Sequence, residues 1–387
     1  MIPPSIRLLF ACVSYALLLS KISGAESEKP ASCDTNVAWK FQTGKEVTSA
    51  PTVADGVVYC GSTNGSFFAL DAETGQLRWK FSALYPISGK AAVSADIVCI
   101  GSGNVLYGLD KLSGQEKWHF AAKGFRPIFS LDLTDYHRSS PVIADGIVYY
   151  GDDWGNLNGV DLATGARVFQ FTTESGRPIR STPVVSDKVV YFGDWEGEAY
   201  AVSLIDKKLR WTYRLENIRP YYGAIVSEFV IQDGVLYFGS QHEIFAPLDI
   251  TTGRPVWRFV DANKTYLPST PLINDGKVIV GSTVFTNAVL CLNKGEIVWS
   301  YKAEGIFFTK PVLDGQVLII NSTNFGKTGY LYFLNFKTGT LINKVAIEKA
   351  SPSSPAISGR KLYLGAGDGC IYALDLNGLL PTAQPAR

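Results

Sequence analysis

The sequence predicts an all-β chain folded as an eight-bladed β-propeller of four-stranded antiparallel blades. Three observations carry this: a proline-headed strand that recurs at a fixed step, a constant strand-and-turn pattern behind it, and a missing last strand found at the other end of the chain. The prolines are Pro51, Pro141, Pro183, Pro271, Pro311 and Pro355, at steps of 90, 42, 88, 40 and 44 residues. Each step is one or two units of roughly 40–45 residues, the length of a four-stranded blade. The double steps are filled by units without the proline, at Ala91-Ala92-Val93 and Val226-Ser227-Glu228.

Within a unit the elements follow in order. A short first strand (51–54) meets Asp55-Gly56, a pair favoured in two-residue hairpins, and Asp-Gly recurs at 145–146, 233–234 and 275–276. The second strand (57–60) ends at Gly61, and the third (67–71) alternates. Ala72-Glu73-Thr74-Gly75 then turns into a fourth strand ending Trp79-Lys80-Phe81. The last unit supplies three strands and runs out. Its fourth is expected at Val37-Ala38-Trp39-Lys40-Phe41, which copies 77–81 and closes the ring from the N-terminal side. Residues 26–380 are therefore read as one propeller, with 381–387 as a tail.

Ala69-Leu70-Asp71-Ala72-Glu73-Thr74-Gly75-Gln76-Leu77-Arg78-Trp79, with looser copies at 108–118, 159–169 and 247–257, resembles the tryptophan-docking repeat of the pyrroloquinoline-quinone (PQQ)-like propellers. That resemblance covers nearly the whole chain beyond the leader. It implies either a non-enzymatic scaffold similar to the outer-membrane assembly factor BamB or a PQQ-dependent dehydrogenase. The adjacent cysteine pair and long insertions of the dehydrogenases are missing here, and so is the lipid-attachment site usual in BamB proteins. The resemblance favours the scaffold, with no cofactor; PQQ with Ca²⁺ is the lesser expectation.

Composition and the leader set the context. With 36 basic and 35 acidic residues the net charge is +1, which argues against a nucleic-acid partner. Arg7, an apolar run over 8–19 and Ser23-Gly24-Ala25 read as a secretory signal peptide over 1–25, too short to span a bilayer. A secreted or periplasmic monomer is expected. Cys60, Cys99, Cys291 and Cys370 sit in strand-like runs and read as buried apolar residues.

Function has to be sought where units depart from the repeat. Trp39, Trp79, Trp118, Trp211, Trp257 and Trp299 share one position and read as packing between blades. Trp154 and Trp195 instead lie in loops between second and third strands, beside Asp152 and Asp194. Those loops share a face with the connections between blades, which carry His137, Arg138, Arg180 and Tyr222; His242 lies in the corresponding loop of blade five. Two readings stay open. Either loops are polar by nature and Arg138 and Arg180 belong to the repeat, or these groups converge on the channel mouth as a site for a small polar molecule, a glycan or a protein partner. If the site were catalytic, as in a carbohydrate hydrolase or lyase, His137, His242 or Tyr222 would serve as acid or base, and Arg138 or Arg180 would neutralise charge. Trp154, Trp195, Asp152, Asp194, Tyr222 and Arg180 would bind ligand. No metal-ligand spacing is present, and no metal site is expected.

Overall fold

A computed structural model describes residues 31–32, 36–122, 138–216, 223–283, 287–324 and 327–380. Apart from Ala31 these belong to one unit, Ser32–Arg387. It is an eight-bladed propeller built of antiparallel sheets. Blade one shows the plan: Thr52–Ala54, Val57–Gly61, Ser66–Asp71 and Leu77–Ser82, hydrogen-bonded in that order. The Asp55-Gly56 hairpin has φ of 49° and 71°, the left-handed pair the sequence anticipates. In blade eight Val37–Gln42 pairs with Cys370–Asp375, so the N-terminal strand completes the last sheet. The single helix among the described residues, Leu376–Leu379, follows directly.

There is no common core. Eight apolar clusters form instead, one at each junction of blades, because successive residues of a strand face opposite neighbours. Val57, Tyr59, Phe67 and Trp79 pack toward blade two with Val98, Ile100 and Tyr107. Val58, Cys60, Phe68 and Leu70 pack toward blade eight with Trp39, Tyr363 and Ile371. Cys60, Cys99, Cys291 and Cys370 are free and buried. Burial pushes the Cys60 and Cys99 thiols up to about 12.

The fourth-strand tryptophans dock as the repeat predicts. The Trp79 indole N–H donates to Lys111 O at 3.0 Å, and its ring lies so close over Gly114 (φ 72°) that a Cβ there would come within 2.4 Å. Trp39, Trp118, Trp211 and Trp299 make the same bond to Ala72, Leu162, Ile250 and Phe336. The preceding turn is held by an acidic side chain: Asp71 accepts from the Glu73 and Thr74 backbone and from the Thr74 hydroxyl.

Blade five departs from this plan. Its sheet holds three strands, Val230–Gln232, Val235–Tyr237 and Leu248–Asp249, with Ile244–Phe245 and Phe259–Val260 paired separately. Pro247 and Pro255 supply no N–H to the ladder where its third and fourth strands would run, which splits both. Trp257 is consequently only half-buried and rests at 5.7 Å from the Phe245 ring.

Candidate functional site

The eight lead-ins to the first strands line the channel in register. Two residues before each first-strand start stands Ala50, Lys90, Ser140, Thr182, Glu228, Thr270, Lys310 or Ser354. Hydroxyls at this level join the blades: Lys90 N donates to Ser140 Oγ, Ser140 N to Thr182 Oγ1, Glu228 N to Thr270 Oγ1 and Lys310 N to Ser354 Oγ, all within 3.3 Å. One residue earlier, Ser139, Ser181, Ser227, Ser269 and Ser353 each accept from a glycine N–H at, or in blade five just past, the end of the second strand of the same blade. The inner wall is thus a belt of short side chains with three charged interruptions.

Those three meet. Glu228 of blade five accepts Lys90 Nζ at 2.5 Å and Lys310 Nζ at 3.1 Å, from blades two and seven. Burial alone would raise the Glu228 carboxyl, but the two ammonium groups outweigh it and hold it at about 2. The triad ties distant blades across the axis. A cavity of about 70 Å³ remains, lined by Thr48, Ser88, Lys90, Arg138, Glu228 and Phe308 among others.

Two residues before this level, blades three and four place Arg138 and Arg180. Both close on Asp153: Arg138 Nη1 at 2.8 Å and Arg180 Nη2 at 3.1 Å. Asp153 and Arg180 are 2% and 1% exposed and Arg138 is partly buried, so this is an arginine–carboxylate–arginine cluster with a buried centre and one net positive charge. The Asp153 backbone N–H is taken by Asn104 Oδ1 of blade two. The Trp195 ring lies 5.8 Å from the Arg180 guanidinium carbon.

The remaining candidates separate. Asp152 accepts from the Trp154 and Asn156 backbones and from the Asn156 and Asn158 amides, which saturates its carboxylate within its own loop. Asp194 is bound by Glu196 N, Glu198 N, Ser175 Oγ and Tyr200 Oη. Its carboxyl is raised because burial outweighs these donors. Both aspartates organise turns. Trp154 and Trp195 occupy different loop positions; Trp154 lines a cleft on the flank of blade three, away from the Arg180 cluster's lining. His242 is buried, its Nδ1 accepts from Ile244 N at 3.2 Å, and its Nε2 is 3.9 Å from Glu243. No described contact links it to the arginines. His137 and Tyr222 lie outside the described residues. Among the described residues no group of three or more His, Cys, Asp or Glu is placed to hold a metal ion.

The sequence reading passed over Asp153, Lys90 and Glu228. Aligning the residue two before each first-strand start would have exposed the Lys/Glu/Lys set, since the other five positions are Ala, Ser or Thr. Asp153 carried no such signal, because it sits among two other acidic or aromatic loop residues in a unique turn.

A family model described as outer membrane protein assembly factor BamB matches residues 32–177, 155–285 and 248–380. BamB of Moranella endobia (strain PCIT) is 22% identical over 295 residues, 75% of this chain and 63% of that one. The chain thus spans less than two thirds of that relative's length. The crystal structure of BamB from Moraxella catarrhalis superposes with a TM-score of 0.62 at 19% identity, over 87% of this chain and 88% of that one. Quinohemoprotein alcohol dehydrogenase from Comamonas testosteroni gives 0.69 at 14% identity, over 91% and 78%. At these identities the two structures share the fold.

Proposed function

Since the chain belongs to the BamB family of PQQ-like propellers, we propose that it is an exported, non-catalytic scaffold that presents its loop face to a protein partner during outer-membrane protein assembly. The observation that supports this most is the state of the channel. Pockets for small organic ligands run to about 300 Å³ or more, and the space left around Lys90, Glu228 and Lys310 is about 70 Å³. A tricyclic quinone does not fit there without breaking the triad. The charged residues that would face it, Lys90, Glu228 and Lys310, are already paired with one another.

A rigid wall suits a platform. The triad, the Arg138–Asp153–Arg180 cluster and the hydroxyl belt fix the blades relative to one another, so the loops form one surface of defined shape. The hydrolase reading gains no support here: of its acid–base candidates only His242 lies among the described residues, and its Nδ1 is taken up by the Ile244 N–H.

The reading is tested in cells by placing a photo-crosslinking residue at Glu174, exposed on the loop face, or at Thr164, exposed on the opposite face. Adducts with outer-membrane assembly components from position 174 alone are expected, with reduced assembly of outer-membrane proteins when the gene is deleted. Equal or absent adducts at both positions, with normal assembly, would refute it. Export is checked separately: the processed protein should begin near Glu26.

A further inference from the structure

Blade three breaks the repeat at a position that nothing above explains. Three residues before the end of each third strand stands Phe68, Tyr107, Tyr200, Leu290, Tyr332 or Tyr372 in the other regular blades, and Asn158 in blade three. Four of these rings meet a ring on the fourth strand of the preceding blade: Phe41–Phe68 at 5.2 Å, Phe81–Tyr107 at 5.2 Å, Phe171–Tyr200 at 6.2 Å and Tyr301–Tyr332 at 5.7 Å. Phe120, the corresponding ring on blade two, has no ring against it among the described residues. Replacing an aromatic ring by an amide opens the junction between blades two and three.

The result is a cleft of about 460 Å³ lined by Trp154, Asn156, Asn158, Arg167, Gln170 and Thr172. Asn156 pairs with Thr172 and Asn158 with Gln170 across the two strands, so these side chains share the face turned to blade two. The network inside is partial. Asn158 gives one amide hydrogen to Asp152, and Gln170 gives one to Asn156, which also accepts from the Thr172 hydroxyl. The amide oxygens of Asn158 and Gln170 accept no hydrogen bond in this network.

We propose that this cleft is a binding site for a neutral saccharide. Amides and a hydroxyl offer donors and acceptors together, which matches sugar hydroxyls that do both. Trp154 supplies an aromatic surface at the rim for the C–H face of a sugar ring. An anion would call for convergent cations, and only Arg167 provides one; the Asp152 charge is spent on its own loop. A peptide side chain would need apolar walls, which this lining lacks. The inference is independent of the scaffold reading, since the cleft lies on the flank and not on the channel.

The test titrates the intact protein with maltotriose, cellotriose and chitotriose, read by tryptophan fluorescence and calorimetry. At least one is expected to saturate with a dissociation constant of about 1 mM or tighter. Asn158→Tyr, which fills the cleft with the residue used in blades two, four, seven and eight, is expected to weaken binding at least about tenfold while leaving the melting temperature unchanged or higher. Trp154→Ala should weaken it as well. Saturation by none of the three sugars, or binding that survives Asn158→Tyr intact, would overturn the proposal.

Discussion

Asn343 stands where five other blades place a docking tryptophan, and its Nδ2 donates to Leu379 O at 2.7 Å, three residues beyond the counterpart of the carbonyl those indoles take. Blade seven faces the C-terminal turn of the ring, where Leu376–Leu379 follows blade eight in place of a fourth strand's lead-in turn. The carbonyl still needs a donor, and an amide provides it without a ring to stack. The docking position therefore serves two separable ends, satisfying a carbonyl and covering a glycine turn.

That separation predicts unequal losses. Trp79→Ala removes both and should cost about 3–5 kcal/mol, while Asn343→Ala removes the bond alone and should cost about 1 kcal/mol. Gly114→Ala should approach the cost of Trp79→Ala, and the double variant should be clearly less destabilised than the sum. Urea unfolding of the four proteins measures this; strict additivity would dissociate the ring from the turn.

Asp153 accepts two hydrogen bonds from the partly buried Arg138 and forms an ion pair with the fully buried Arg180. Asp153→Ala should destabilise by about 3–5 kcal/mol, because Arg180 would keep a buried charge without its carboxylate. Adding Arg180→Met should recover a large part of that loss. Thermal melts of the single and double variants decide, and no recovery would mean that Asp153 acts through its loop rather than its charge.

Glu228 gives the channel a pH dependence of fixed sign. Its carboxyl sits at about 2 when folded, below the 4.5 of an unperturbed glutamate. The stabilisation is fully present above about 4.5 and fades as pH falls toward 2, because the unfolded chain takes the proton first. On the order of 2–3 kcal/mol is at stake after allowance for solvent access. Glu228→Gln should therefore be less stable than wild type near neutral pH, with the gap closing as the pH drops below about 4. A gap independent of pH would show that the triad contributes little through charge.

Deleting 37–42 should unfold more than one blade. The strand pairs with Cys370–Leu374, and Trp39 also packs against blade one, so both sides of the ring closure lose area. Hydrogen exchange should show blades one and eight losing protection together; loss confined to blade eight would count against a closed ring.

Most of the fold was legible because a repeat states its rule eight times. The Asp-Gly hairpins, the docking tryptophans and the borrowed strand at Val37–Gln42 all follow from local chemistry copied along the chain. Blade five was harder to read, since the motif around Trp257 matches while Pro247 and Pro255 withhold the hydrogen bonds that would seat it. The site was less legible for a different reason. Arg138 and Arg180 were visible, but their partner Asp153 comes from a loop of blade three, and Glu228 meets lysines from blades two and seven. Such pairings are set by the circumference of the ring and not by neighbours in sequence.

The strand Val37–Gln42 has a further consequence in time. Gln42 contacts Cys370 and Asp368, so the pairing joins residues more than three hundred positions apart. A strand made among the first must wait until nearly the last residues emerge before it finds its partner, and through that interval the growing chain carries an unmatched sheet edge at each end. Whatever keeps the nascent chain from sticking to its neighbours must act until synthesis, or passage across a membrane, is complete.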